Sequence, residues 1–112
     1  MLLVMARVSS TKSERNSKDC AGFLRAMGDD TRLRILQSLL HCERCVNDIA
    51  HTLKLPQPHV SHHLQILKNA GLVEGRRDGQ RICYRLLPEI GESVSGQKVT
   101  AIDLGCCRIS FR

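Results

Sequence analysis

The stretch from residue 46 to residue 72, VNDIAHTLKLPQPHVSHHLQILKNAGL, limits the fold of this chain more than any other. It contains two short helical patterns separated by Leu-Pro-Gln-Pro. In the first pattern the apolar residues recur at helical spacing, at Val46, Ile49, Ala50 and Leu53. Leu55 and Pro56 end that helix, because proline cannot continue a helix and disfavours helical geometry in the residue before it. The stretch therefore predicts two helices joined by a tight turn.

The second predicted helix has a polar outer face. Its apolar stripe is Val60, Leu64 and Leu67, with His63 packing at the margin of that stripe. The opposite face offers mainly neutral hydrogen-bond donors and acceptors, which are the groups that read base edges in a major groove of DNA. We expect DNA contacts from Gln57, His59, Ser61, His62, Gln65 and Lys68.

A basic hairpin is predicted directly after this helix. Asp78-Gly79 is a strong tight-turn dipeptide between two strand patterns. Ile82, Tyr84 and Leu86 alternate with Arg81, Cys83 and Arg85, so the pattern predicts an apolar underside and an arginine-rich outer face. We expect Arg76, Arg77 and Arg81 to contact phosphates and Cys83 to be a surface thiol without a ligand role.

The charge of the chain supports a nucleic-acid partner. The formal net charge is +6, and residues 54–85 hold six basic side chains against two acidic ones. A basic excess on two such helices and a hairpin is typical of proteins that bind a phosphate backbone. The predicted fold is mainly α with a small β-hairpin wing, a winged helix-turn-helix, and the predicted partner is a double-stranded DNA operator.

Residues 23–88 resemble the ArsR/SmtB family of bacterial winged-helix repressors. Residues 26–36 match the family's early "sDptRlrIL" helix, and residues 60–73 match its "vSxHLxxLxxAGLV" signature. Residues 84–86 match the end of its wing. The resemblance implies a homodimeric repressor that leaves its operator when a metal ion, a metalloid or an oxidant reaches cysteine or histidine ligands.

The chain divides into three predicted segments. They are a flexible N-terminal arm over residues 1–17, a winged helix-turn-helix DNA-binding domain over residues 18–88, and a linker with a Cys-Cys-containing C-terminal segment over residues 89–112. No apolar run approaches the roughly 18 residues of a membrane span. The start of the chain lacks a signal-peptide core, so we expect a cytoplasmic protein without a membrane partner.

Helical and strand patterns flank the helix-turn-helix. An earlier helix carries the apolar stripe Cys20, Phe23, Leu24 and Met27. A chain of 112 residues has room for only a thin core, so we expect this helix to form part of a homodimer interface. After residue 98 the spacing of apolar residues predicts a strand interrupted at Gly105, where the family has a long dimerisation helix.

Six cysteines indicate thiol chemistry: Cys20, Cys42, Cys45, Cys83, Cys106 and Cys107. In a cytosolic chain they favour metal binding or redox chemistry over a disulfide framework. The predicted metal ligands are Cys42, Cys45, Cys106 and Cys107. Cys20 lies on the apolar stripe, and we expect it to be a small buried apolar residue.

The effector is predicted only by class. Soft-metal members of the family carry Cys-Val-Cys-Asp-Leu where this chain has Cys45-Val-Asn-Asp-Ile, with Asn47 in place of the second cysteine. Three or four thiolates suit a soft effector such as As(III), Sb(III), Cd(II), Pb(II) or Zn(II). Arsenite favours three sulfurs in a pyramid, and Zn(II) prefers a closed tetrahedron. Both ligand counts stay open.

Three other interpretations compete with a metal-responsive repressor. A repressor of the same family that senses oxidants or persulfides through its thiols explains the same residues. A metal-buffering protein without a DNA role explains the cysteines but not the helix-turn-helix. An enzyme needs a nucleophile with an ordered base, and adjacent His41 and Cys42 point apart, so we expect no enzymatic activity.

Overall fold

The computed structural model describes residues 17–92 and 101–111. The helices are α1 (Ser17–Met27), α2 (Asp30–Ser38), α3 (Val46–Leu53) and α4 (Gln57–Asn69). The strands are β1 (Arg44–Cys45), β2 (Val73–Asp78), β3 (Arg81–Leu86), β4 (Gly91–Glu92), β5 (Ala101–Asp103) and β6 (Arg108–Ser110). Nearly all of the predicted arm and most of the predicted linker lie outside the described residues.

The helices begin and end where local chemistry requires. Asp29 caps α2 by accepting a hydrogen bond of 3.1 Å from the Arg32 amide. Lys54 ends α3 in the left-handed conformation, with φ 59°. Helix α4 then starts at the proline-containing turn, with Pro58 in its first turn, where a missing N–H leaves no bond unmade. The predicted helix-turn-helix is therefore α3, this turn and α4.

The wing is the hairpin of β2 and β3, and β1 extends it to a three-stranded antiparallel sheet in the order β1-β3-β2. The β2–β3 turn contains Gly79 at φ 67°, as the Asp-Gly signal predicted. The predicted alternation along β3 is wrong at two positions. Ile82 is 41% exposed near the tip, whereas Cys83 is only 2% exposed. Strand β1 causes this burial, because it pairs with β3 and places Cys45 opposite Cys83.

The C-terminal residues form a second antiparallel sheet in the order β4-β5-β6. Sequence reasoning expected one strand interrupted at Gly105, but the chain reverses there and β6 pairs back onto β5. Gly105 has φ 92°, a left-handed conformation that glycine adopts at little cost. The reversal brings the following cysteine pair back toward the helices.

One hydrophobic core joins both sheets to the helices. Its fully buried members include Leu64 and Leu67 of α4 and Ile35 of α2. Ile102 and Leu104 from the C-terminal hairpin are equally buried. The C-terminal segment thus contributes to the same core as the helix-turn-helix. None of the described helices combines the length and apolarity needed to cross a membrane.

Candidate nucleic-acid interface and cysteine cluster

Helix α4 turns its polar face to solvent. Its apolar residues Val60, Leu64 and Leu67 have no exposed surface, and they anchor the helix on the core. The six side chains predicted to contact DNA from this helix are all exposed: Gln57, His59, Ser61, His62, Gln65 and Lys68. The Gln65 side chain donates a hydrogen bond of 3.1 Å to Asn69 Oδ1, one turn further along. The arrangement presents exposed polar side chains on a helix that is anchored to the core.

Beneath that face a buried histidine links three elements. His63 is 9% exposed, and its Nδ1 lies 3.1 Å from Arg32 Nη1 and 4.0 Å from Asp29 Oδ2. Its Nε2 lies 3.2 Å from His59 Nε2, and the two rings stack. Because the arginine can only donate, Nδ1 of His63 accepts from Arg32. Neutral His63 then carries its proton on Nε2, which donates to Nε2 of His59.

Burial lowers the pKa of His63, with Asp29 acting in the opposite direction. The pKa of Asp29 is lowered chiefly by its hydrogen bond from the Arg32 backbone. The folded protein therefore favours the neutral form of His63. Sequence reasoning expected His63 to pack but missed this network, although the four-residue spacing of His59 and His63 was a signal for it.

The wing arginines have intramolecular partners. Arg76 Nε lies 2.6 Å from Glu43 Oε2, and Arg81 Nη2 lies 2.9 Å from Asp48 Oδ2. The hydrogen bond to Glu43, together with its charge, raises the pKa of Arg76. Arg77 is exposed and makes no ion pair within the described residues. Exposed ion pairs contribute little net stability, so a phosphate can compete with the carboxylates for these arginines.

The structure divides the predicted metal ligands between two places. Cys106 and Cys107 meet Cys20, and the three ligand sulfurs lie within 4.8 Å of one another. The structure joins Cys20 to Cys106 as a disulfide, and the Cα atoms are 6.3 Å apart, inside the usual range of about 4.4–6.8 Å. Cys107 Sγ lies 4.0 Å from Cys20 Sγ. We call these three residues the cysteine cluster.

The cysteine cluster depends on the turn at Gly105. The Gly105 amide donates to Asp103 Oδ1 at 2.8 Å, and the Leu104 amide donates to the Cys107 carbonyl at 2.9 Å. These bonds fix the two adjacent cysteines on a tight reversal. Cys20 is buried, Cys107 is half-buried and Cys106 is exposed. The cluster is therefore open to solvent on one side.

Cys45 does not reach this cluster. It is joined to Cys83 across the β1–β3 ladder with the Cα atoms 3.6 Å apart, closer than the usual disulfide range of about 4.4–6.8 Å, while Cys42 is exposed and outside any disulfide. The expectation of a surface thiol at Cys83 is therefore wrong. Cys20 is buried as expected, but it also lies against two other thiols. No spacing rule along the chain pairs Cys20 with residues 86 positions away, since tertiary packing creates that contact.

Comparison with known proteins matches this architecture to one family. Residues 29–75 match the family model described as "Bacterial regulatory protein, arsR family". A Staphylococcus aureus protein named cadmium resistance transcriptional regulatory protein CadC homolog is 36% identical over 81 residues, which are 71% of this chain and 67% of that protein. This chain belongs to the arsR family of bacterial regulatory proteins. The resemblance inferred from the sequence is confirmed.

Other relatives fix the fold and the extent of the match. The HTH-type transcriptional repressor SmtB of Mycobacterium tuberculosis is 45% identical over 73 residues, which are 64% of this chain. The chain spans only about half, 54%, of that relative's length. A homodimeric winged helix-turn-helix DNA-binding domain from Mycobacterium bovis superposes with a TM-score of 0.61 at 39% identity, covering 64% of this chain and 67% of that one. The predicted fold class is confirmed.

Proposed function

We propose that this protein is a homodimeric, sequence-specific DNA-binding repressor that a soft metal or metalloid releases from its operator. The observation that carries the proposal is the exposed polar face of α4 beside the basic wing. In this proposal α4 lies in the major groove, and the wing contacts the adjacent phosphate backbone. A bacterial operator lies in the cytoplasm, so the proposal keeps the cytoplasmic location predicted from the sequence.

Base readout is assigned to exposed side chains of α4 and phosphate contact to the wing. His62 and Gln65 are exposed one turn apart on the outer face. Arg77 provides a cation that is not paired within the described residues, and Arg76 and Arg81 exchange their carboxylate partners for phosphates. Side chains that read bases set sequence preference, whereas phosphate contacts set overall affinity and its salt dependence.

The dimer proposal is supported by the homodimeric Mycobacterium bovis domain and by exposed apolar surface on α1 and α2. Leu24 is 44% exposed and Leu33 is 36% exposed. Cys20 and Met27, which were also expected at the interface, are buried inside this chain. Leu24 therefore remains from the predicted stripe as surface available to a second copy, together with Leu33 of α2.

The proposed effector site is the cysteine cluster in its reduced form. Sulfur atoms around a tetrahedral zinc lie about 3.8 Å apart, from Zn–S bonds of about 2.3 Å, and Cys20 and Cys107 already have a separation of 4.0 Å. Three thiolates complete the pyramid that As(III) favours, whereas a closed zinc site needs a fourth ligand. The cadmium resistance named for the Staphylococcus relative also supports an ion that prefers sulfur.

The effector site has a short physical connection to the DNA-reading helix. Cys20 and Phe23 lie about one turn apart on α1, and a Cβ atom placed on Gly71 would lie 3.7 Å from the Phe23 ring. Gly71 follows Ala70, the C-cap residue of α4. An ion that draws Cys20 toward the C-terminal hairpin therefore shifts α1 against the end of α4. A coupling of about 1–3 kcal/mol lowers operator affinity by about 5–150-fold.

The experiment measures duplex binding by fluorescence anisotropy under reducing, anaerobic conditions, with arsenite, Cd(II), Pb(II) and Zn(II) as titrants. His62→Ala and Gln65→Ala should each reduce discrimination against a wrong base by about 1–3 kcal/mol. Arg77→Ala should weaken binding to all duplexes and reduce the salt slope by about one. Failure of the reduced parent to bind any duplex contradicts the repressor assignment.

Cysteine variants test the effector site within the same assay. Cys20→Ser and the double variant Cys106→Ser/Cys107→Ser should bind DNA normally but resist release by arsenite. Cys42→Ser is the matched control, because Cys42 is exposed and is not one of the three clustered cysteines, and it should respond like the parent. Release of all variants at the parent's arsenite concentration contradicts the assignment of the cluster.

A second candidate function rests on the disulfide between Cys20 and Cys106. A repressor that senses oxidants or persulfides uses the same residues and the same connection to α4. Release by peroxide alone, reversed by dithiothreitol and absent from Cys20→Ser, supports this candidate over the metal-responsive one. A metal-buffering protein, in contrast, binds ions but no duplex.

A further inference from the structure

A second pair of cysteines lies at the junction of the wing and the helix-turn-helix. Cys45 and Cys83 occupy directly opposed positions in the antiparallel β1–β3 ladder. Opposed side chains in such a ladder are nearest neighbours across the strands. Cys83 is 2% exposed, whereas Cys45 is half-buried. A small oxidant therefore reaches the pair from the side of Cys45.

We propose that Cys45 and Cys83 are a redox-active dithiol that a peroxide oxidises to a disulfide, which locks the wing to the start of the helix-turn-helix. This site is separate from the cysteine cluster and shares no residue with it. Its effect on DNA rests on the proposed function, but its chemistry and its effect on the wing do not.

The chemistry balances with a hydroperoxide as the oxidant. The Cys45 thiolate attacks the terminal peroxide oxygen, the O–O bond breaks, and Cys45 becomes a sulfenic acid as an alcohol or water leaves. The Cys83 sulfur then attacks the Cys45 sulfur, an S–S bond forms, and the sulfenic oxygen leaves as water. Two thiols lose two electrons and two protons in total, and the peroxide is reduced.

The location of Cys45 at the start of α3 favours it as the cysteine that reacts first with the peroxide. Cys45 is the N-cap residue of α3, and it is the more exposed of the two cysteines. Thiolates are favoured at helix N-termini, where unpaired N–H groups carry partial positive charge. Cys83, buried on the central strand of the sheet, is then the resolving thiol.

The disulfide acts on a junction that is otherwise weakly held. Strand β1 is only two residues long, and its pairing with β3 is accompanied by two exposed ion pairs, Glu43–Arg76 and Asp48–Arg81. Such ion pairs contribute little on their own. A covalent bond at the same junction closes a loop with a sequence separation of 38 residues. It holds Arg76 and Arg81 beside their carboxylate partners and away from phosphates.

Oxidation should therefore weaken binding to DNA. With the dithiol reduced, β1 is free to separate from β3, and the wing can carry both arginines to the backbone. With the disulfide formed, Arg76 and Arg81 are less able to exchange their carboxylate partners for phosphates. We expect the duplex Kd to rise by about 5–150-fold, the usual range for coupling between two sites.

Tryptic mapping reads the pairing directly. The cysteines fall in separate peptides: residues 45–54 hold Cys45, residues 82–85 hold Cys83, residues 35–44 hold Cys42, residues 19–25 hold Cys20, and residues 99–108 hold the Cys106-Cys107 pair. The fully reduced protein is treated with hydrogen peroxide, its remaining thiols are alkylated, and it is digested without reductant. We expect a crosslink between peptides 45–54 and 82–85 that dithiothreitol removes. A crosslink of 45–54 to 35–44, or none from 45–54, overturns the proposal.

Hydrogen exchange reads the effect on the wing without DNA. Amides of residues 73–86 should exchange at least about ten-fold more slowly in the peroxide-treated protein, because the link suppresses opening of the wing. Cys45→Ser and Cys83→Ser should each abolish this protection, whereas Cys20→Ser should retain it. Because two separate serine variants are tested, the result stands even if one of them fails to fold. Equal exchange rates in oxidised and reduced parent protein overturn the locking step.

The DNA measurement separates failure of this proposal from failure of the proposed function. If the reduced parent binds no duplex, the repressor assignment fails while the crosslink and exchange results still decide the dithiol site. If the reduced parent binds and peroxide weakens binding equally in Cys45→Ser and in the parent, the effect on DNA belongs to other thiols and this proposal is wrong.

Discussion

Replacing Ile102 by alanine tests whether the C-terminal hairpin is part of the core that supports α4. Ile102 has no exposed surface, and it pairs with Gly91 on one side and with Ile109 on the other. The change removes three buried carbon atoms at about 0.8 kcal/mol each and leaves a cavity behind. The expected loss of unfolding free energy is about 2–5 kcal/mol. That is a large part of the roughly 5–15 kcal/mol by which a small domain is stable.

Urea unfolding followed by circular dichroism measures this loss on reduced protein. With an m value of about 1.5 kcal/mol/M, a loss of 3 kcal/mol lowers the midpoint by about 2 M. Ile82→Ala is the matched control, because the same atoms are removed from a side chain that is 41% exposed. That change should cost at most about 0.5 kcal/mol.

The comparison of these two variants shows whether the C-terminal hairpin supports the core. If Ile102→Ala costs no more than Ile82→Ala, the hairpin does not support the core, and a cysteine cluster built on it has no rigid connection to α1. If Ile102→Ala is destabilising and arsenite restores part of the lost stability, the ion binds the folded hairpin in the manner proposed.

Two further predictions concern stability. Gly75→Ala places a Cβ atom 2.9 Å from the Tyr84 ring and should destabilise the wing by about 1–3 kcal/mol. Gly22→Ala, within α1 and with no neighbouring atom inside 4 Å, should stabilise the protein by up to about 1 kcal/mol. Thermal unfolding of both variants checks that the two effects have opposite signs. Burial lowers the pKa of His63 below its ordinary value of about 6.5, so the folded protein favours neutral His63. The resulting stability is complete above about pH 6.5, and it is lost as the pH falls from 6.5 through the lower pKa of the folded state. Urea unfolding between pH 5 and 8 should show this loss in the parent and in His62→Asn but not in His63→Asn, and an unchanged slope in His63→Asn contradicts it.

The helix-turn-helix was predictable because its signals are local. Proline and glycine fix the turn and the helix ends, and the apolar spacing from Val46 to Leu67 separates the inner faces from the outer ones. The exposed face of α4 followed directly from that spacing. The Asp78-Gly79 turn was equally local, since the required backbone conformation depends on the dipeptide itself.

The burial of Cys83 was not predictable by the same reasoning. Alternation along β3 assumes one buried face and one exposed face, and a two-residue strand such as β1 is too short to leave a periodic signal. Once β1 covers β3, Cys83 and Tyr84 are both buried. The ion pairs of Arg76 and Arg81 were missed for a related reason, because their partners lie 33 residues away along the chain.

In the two proposals above, the thiol sites affect different classes of DNA contact, because the cysteine cluster lies beside α1 and the Cys45–Cys83 pair lies beside the wing. In the metal proposal, the cysteine cluster acts through Phe23 on the end of α4, and an ion there changes the helix assigned to base readout. The Cys45–Cys83 pair acts on β1 and the wing, so an oxidant there changes contacts with phosphates. Loss of base contacts lowers sequence preference and leaves the salt dependence in place, whereas loss of wing arginines reduces the salt slope and preserves preference. Under these proposals an ion and an oxidant weaken the same complex by physically different routes, and salt titration in the presence of each agent distinguishes them.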